Sequence, residues 1–76
     1  MTLTYYEKKW QHLTFSDLRE ISTKWCKRYS LDKLRALKEN YSNAMSVNGI
    51  SQELYEVYNN RWLAAQWAIN AKLMKR

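Results

Sequence analysis

The chain has 76 residues, of which 46% are hydrophobic, and it carries four Trp, six Tyr, one Cys and a formal net charge of +6. This length suits one domain with a small core, predicted to span residues 1–76, and a single cysteine excludes an intrachain disulfide. One His and one Cys are also too few for a structural zinc site, so the fold must be stabilised by burial of apolar side chains.

One Gly and no Pro favour helices over a turn-rich β architecture. The sequence therefore predicts a small, compact all-α domain of three main helices plus a short N-terminal helix. The short helix is expected over about residues 5–12, where Thr4 and Glu7 have the spacing of a capping box.

The second predicted helix covers about residues 17–28 and is opened by Thr14 or Ser16. The third covers about residues 31–47, with Ser30 as its N-cap. At 100° per residue, the apolar stripes of these two segments would lie roughly 150° apart on one continuous helix. No single neighbour covers both stripes in that geometry, so a bend near Ser30 is predicted.

The fourth predicted helix starts after Ser51, extends to about residue 74 and is apolar on two sides. Its core-facing stripe contains Leu54, Tyr58, Trp62, Ala65, Ile69 and Leu73. A second apolar group consists of Leu63, Trp67 and Met74. Such a helix is either the central spine of its fold or half covered by another chain. In the second case, Leu63, Trp67 and Met74 form a partner-binding surface for another protein or for a second copy.

The stripes of the three main helices together predict which side chains form the core. These are Leu18, Ile21, Trp25, Leu34, Leu37, Tyr41, Leu54, Tyr58, Trp62, Ala65 and Ile69. Phe15 also falls on the stripe of the second helix, because it precedes Leu18 by three residues.

Basic residues cluster around the predicted bend, where Asp32 is the only acid. They are Lys24, Lys27, Arg28, Lys33, Arg35 and Lys38. One interpretation is a solvated outer face, since these charges lie off the apolar stripes. The other is a nucleic-acid-binding helix-turn-helix with phosphate contacts, although the turn, around Tyr29 and Ser30, is very short and has no Gly.

Chemistry-bearing residues are sparse, which predicts that the chain is not an enzyme and holds no cofactor or metal. A single Gly cannot make a phosphate-binding loop. His12 is expected at the surface near a helix end, and Cys26 is expected to be a half-buried thiol with no chemical role. The sequence shows no apolar run of membrane-spanning length and no segment of signal-peptide type, which with the lone thiol indicates a cytoplasmic location.

These features together predict a non-catalytic binding module, most simply a small regulator or inhibitor that docks onto another protein. The alternative is a nucleic-acid-binding domain that uses the basic residues, because a net charge of +6 favours an acidic partner of either kind. The small, basic, Trp-rich composition has the style of a phage or mobile-element accessory protein.

Overall fold

A computed structural model describes residues 5–74, with side chains from residue 8 onward. The capping box predicted at Thr4 and Glu7 lies outside the described side chains. Four α-helices make up 84% of the described residues, which include no strand. They are α1 (Tyr5–Gln11), α2 (Phe15–Arg28), α3 (Leu31–Met45) and α4 (Gln52–Met74). The all-α prediction is confirmed.

Side-chain caps fix where α2 and α3 begin. The Thr14 hydroxyl accepts a hydrogen bond from the Asp17 amide at 3.1 Å, and the Asp17 carboxylate accepts one from the Thr14 amide at 3.2 Å. This reciprocal capping box selects Thr14 over Ser16 and starts α2 two residues before the predicted position. The Ser30 hydroxyl accepts from the Lys33 amide at 3.2 Å, which confirms the predicted N-cap of α3.

Extended backbone at Tyr29 and Ser30 separates α2 from α3, where the bend was predicted. Helix α3 ends at Met45, two residues earlier than expected. Gly49 has φ +79°, a conformation that Gly adopts without steric cost, and it turns the chain toward α4. The Ser51 hydroxyl then accepts from the Leu54 amide at 3.2 Å at the start of α4.

Helix α4 is the element on which the other helices pack, since α1, α2 and α3 each contact it more extensively than they contact one another. The molecule measures 43 × 24 × 16 Å. Its radius of gyration is 12.7 Å, against about 11.4 Å for a compact 76-residue domain. The fold is thus a flattened arrangement in which three helices cover one side of α4. Between residues 5 and 74, no helix combines the length and the apolarity that a membrane crossing requires.

The buried side of α4 differs from the predicted stripe by a rotation of roughly 70° at 100° per residue. Ala65 and Ile69 are buried as predicted, but the buried set also includes Val57, Ala64 and Ala68. Leu73, predicted to be core-facing, is 55% exposed. The small alanine side chains let the packed helices approach closely, which explains why this side of α4 was selected over the bulkier stripe.

The remaining predicted core residues are buried to different degrees. Leu18 and Leu34 are buried, whereas Ile21, Trp25, Leu37, Tyr41, Leu54, Tyr58 and Trp62 are half-buried. Ser22 is buried too. Its hydroxyl donates a hydrogen bond to the Arg19 carbonyl at 2.9 Å, so this buried polar group has a partner. Phe15, predicted to lie on the α2 stripe, is 72% exposed because it is the first residue of α2 and lies at the end of the packed region.

Candidate protein-binding surface

The side of α4 that faces away from α1, α2 and α3 presents a continuous row of side chains. We call it the outer face of α4, and it consists of Asn59, Leu63, Gln66, Asn70, Leu73 and Met74. Spacings of three and four residues place these side chains on one side of the helix. The first three are half-buried and the last three are exposed, Leu73 by 55% and Met74 by 83%.

The outer face is notable for its lack of charge. Charged residues make up 26% of the chain, yet Arg61 is the only charged residue among residues 57–71. Arg61 follows Val57 by four residues and precedes Ala65 by four, so it lies on the buried side of α4. Centres of protein–protein interfaces are depleted in charge and enriched in aromatic residues and Met, so the composition of the outer face is typical of an interface.

Of the three residues predicted to bind a partner, two belong to the outer face and one lies at its border. Leu63 is half-buried and Met74 is exposed, at opposite ends of the apolar part of this face. Trp67 is also half-buried, because its ring meets the ring of Phe15 edge-on with centroids 5.0 Å apart. The structure therefore places all three toward the open side of α4, with Trp67 at the border with α2.

Phe15 is the member of this surface that sequence reasoning missed. Its ring extends the apolar area from α4 onto the first turn of α2 while remaining 72% exposed. Its position in the sequence could have indicated this exposure. Phe15 comes immediately after the Thr14 cap, and a neighbouring helix seldom covers the first side chain of a helix fully.

The basic residues predicted as a nucleic-acid site are exposed except for Lys38, which is half-buried. Lys24 forms an ion pair with Glu20 at 3.5 Å. Lys33 and Arg35 lie two residues apart on α3 and therefore point about 160° away from each other. Lys33 and Arg35 thus lie on different sides of α3, whereas Lys24, Lys27 and Arg28 lie within about 100° of one another on α2.

Arg61 lies in a position that the sequence does not predict. Its guanidinium carbon lies 5.1 Å from the centroid of the Trp10 ring and 5.8 Å from that of Tyr41, which is cation–π geometry on both. Among the described residues, its Nε is buried without a hydrogen-bond partner. Next to it, the Asn60 side chain donates to the Trp10 carbonyl at 2.6 Å. Arg61 and Asn60 together attach α1 to α4.

His12 and Cys26 occupy the kinds of position that were predicted for them. His12 is exposed just after α1. Cys26 is half-buried and packs against the cluster of Leu34, Ala68 and Ile69. Within the described part of the chain, no three His, Cys, Asp or Glu side chains come together in a way that would hold a metal ion.

Comparisons of this chain with protein families, with curated proteins and with solved structures find no match. Its function is therefore inferred from the residues and their geometry.

Proposed function

We propose that the chain is a non-catalytic binding module of the cytoplasm that docks onto another protein through the outer face of α4 and acts as a regulator or inhibitor of that protein. One observation carries the proposal. The outer face is uncharged and partly apolar, and its last three residues are exposed, on a chain in which 26% of the residues are charged. Large contiguous apolar patches on a protein surface mark interaction sites.

The side chains of this face suit the energetics of docking. Covering Leu63, Leu73 and Met74 removes apolar area from water at about 25 cal/mol per Å². Trp67 has the residue type that most often dominates binding energy, and Phe15 limits its motion before the partner arrives. The Gln66 amide donates to the Asn70 side chain at 2.9 Å, so these polar groups are already partly satisfied when water leaves.

Affinity capture from the source cells tests the proposal, with and without nuclease and with three baits: the native chain, Leu63→Glu and Val47→Glu. Val47 is 60% exposed and lines a separate concavity of about 230 Å³ at the turn between α3 and α4, so it controls for any exposed apolar residue. We expect a nuclease-resistant protein partner that the native chain and Val47→Glu retain and Leu63→Glu loses. A partner that Leu63→Glu retains, or one that disappears with nuclease, contradicts the proposal.

A second candidate function is nucleic-acid binding through the basic residues of α2 and α3. It is favoured by the exposure of Lys27, Arg28, Lys33 and Arg35, none of which forms an ion pair within the described residues. Such binding would be made to phosphates and would show little sequence preference. Failure of the native chain to retard DNA or RNA at low salt would leave these residues as a solvated face.

A further inference from the structure

We propose that the outer face of α4 receives an α-helix of the partner protein, and that this helix has an uncharged contact stripe flanked by acidic residues. The inference rests on the proposed function, because it names the partner chemistry of the same surface. It depends on three observations, which are the spacing along α4, the charges on either side of the face, and the hydrogen-bonding groups within it.

The outer face runs straight along α4, so a partner helix can lie along it. Asn59, Leu63, Gln66, Asn70 and Leu73 follow one another at intervals of four, three, four and three residues. This alternation keeps a straight row of side chains toward a neighbouring helix, as in a coiled-coil seam. Helix α4 contains neither Gly nor Pro, so the row from Asn59 to Met74 is continuous over roughly 22 Å.

Positive charges border the outer face on both sides. Toward α2, Arg19 is exposed and follows Phe15 by one helical turn, which places it on the same side of α2. Toward α3, the Lys38 ammonium lies 5.3 Å from the centroid of the Trp62 ring, and Trp62 directly precedes Leu63. A partner helix that lies between Arg19 and Lys38 is best matched by Asp or Glu at its flanking positions.

The same charges disfavour a second copy as the occupant. Two copies, each with a net charge of +6, would bring Arg19 and Lys38 of each copy close to those of the other. The uncharged row between them supplies no acid to offset that repulsion. A foreign helix with acidic flanks removes the conflict and also gains diffusional steering toward the basic chain.

The amides of the outer face define the stripe that the partner presents. Asn59, Gln66 and Asn70 each offer a donor and an acceptor, and a buried amide needs partners for them. Leu63 and Leu73 need apolar contact. We therefore expect a stripe in which Leu, Ile or Met alternates with Ser, Thr, Asn or Gln.

Selection from a displayed library of helical peptides tests the inference directly. The library randomises the stripe and flanking positions of one helical scaffold, and the native 76-residue chain is the target. Enriched sequences are expected to carry Asp or Glu at the flanking positions. Affinities of labelled peptides from that set are then measured by fluorescence anisotropy, with circular dichroism confirming that every protein variant is folded.

Two pairs of protein variants locate the binding site. Leu63→Glu should lower affinity at least tenfold and Val47→Glu should leave it within twofold, because only Leu63 lies on the outer face. Arg19→Glu combined with Lys38→Glu should lower affinity about tenfold, because two attractive charge contacts with the partner become repulsive. Lys27→Glu combined with Lys33→Glu changes the net charge equally and should have a much smaller effect.

Three results would overturn the inference. They are enriched peptides with neutral or basic flanks, peptides that bind Leu63→Glu as well as the native chain, and a native chain that sediments as a dimer dissociated by Leu63→Glu. These outcomes differ from failure of the proposed function. If a cellular protein is captured through Leu63 while the selected peptides lack acidic flanks, the docking function stands. The inference of a partner helix with acidic flanks then fails. If no cellular protein depends on Leu63, the proposed function fails whatever the peptides show.

Discussion

The two sides of α4 show how one helix can serve two purposes. The inner side holds Ala64, Ala65 and Ala68 against the other helices, where small side chains permit close packing. The outer side presents longer side chains, among them the half-buried Leu63 and the exposed Met74. The inner side therefore determines stability and the outer side is available for binding. Substitutions on the two sides should separate these properties.

The largest effect is expected from a charge on the inner side. Ala68 is fully buried in the cluster with Leu34 and Ile69, and Ala68→Glu would force a carboxylate into that apolar contact. We expect a loss of at least about 4 kcal/mol, which is most of the stability of a domain this small. The helical circular dichroism signal should collapse. Ala71→Glu, three residues further at an exposed position, is the control and should keep that signal. Equal behaviour of the two variants would contradict the assignment of sides.

A smaller effect is expected from removing apolar volume beneath the inner side. Leu34 is fully buried against Ala68 and Ile69, and Leu34→Ala should cost about 2–5 kcal/mol through reduced burial and a residual cavity. Urea denaturation measures this change. Leu73→Ala removes the same atoms from a side chain that is 55% exposed and should cost less than about 1 kcal/mol. A cost for Leu73→Ala that matches the cost for Leu34→Ala would show that the outer face is part of the core.

Trp67 lies at the border between the two sides of α4, so its substitution tests to which side it belongs. Trp67→Glu removes the edge-on contact with Phe15, and such aromatic pairs contribute about 0.5–1.5 kcal/mol beyond their buried area. We expect a folded protein that is destabilised by more than this aromatic pair contributes, because the half-buried indole also loses its apolar burial, as measured by thermal melting. Binding to the captured partner should be abolished. Unfolding of this variant would place Trp67 on the inner side and restrict the binding surface to the remaining outer residues.

The smallest effect on stability is expected from the exposed cations, which lie on neither side of α4. Replacing Lys27, Arg28 and Lys33 together with Ala should change the free energy of unfolding by less than about 1 kcal/mol. If the second candidate function holds, the slope of log K against log salt for nucleic acid should flatten by about 0.9 for each phosphate that these residues no longer neutralise. An unchanged slope, measured by anisotropy with labelled DNA, would remove these three residues from any nucleic-acid site.

Local signals in the sequence determined the helices of this protein. The Thr14 and Ser30 caps, the stop before Gly49 and the phase change near Ser30 each depend on residues within one or two turns, so they can be read along the chain. The same periodicity places Leu63 and Trp67 on one side of α4, whatever helices pack against it.

Tertiary structure alone decided which side of α4 the other helices cover. Periodicity identifies the apolar sides of a helix, but the side that becomes buried depends on helices far away in the chain. Ala64 and Ala68 add little hydrophobicity to a stripe, yet their small size selects the close contact and rotates the core by roughly 70° from the predicted stripe. The same packing places Phe15 beside Trp67 and Arg61 between Trp10 and Tyr41. These contacts join residues 20 to 52 positions apart, a distance over which no local pattern in the sequence carries information.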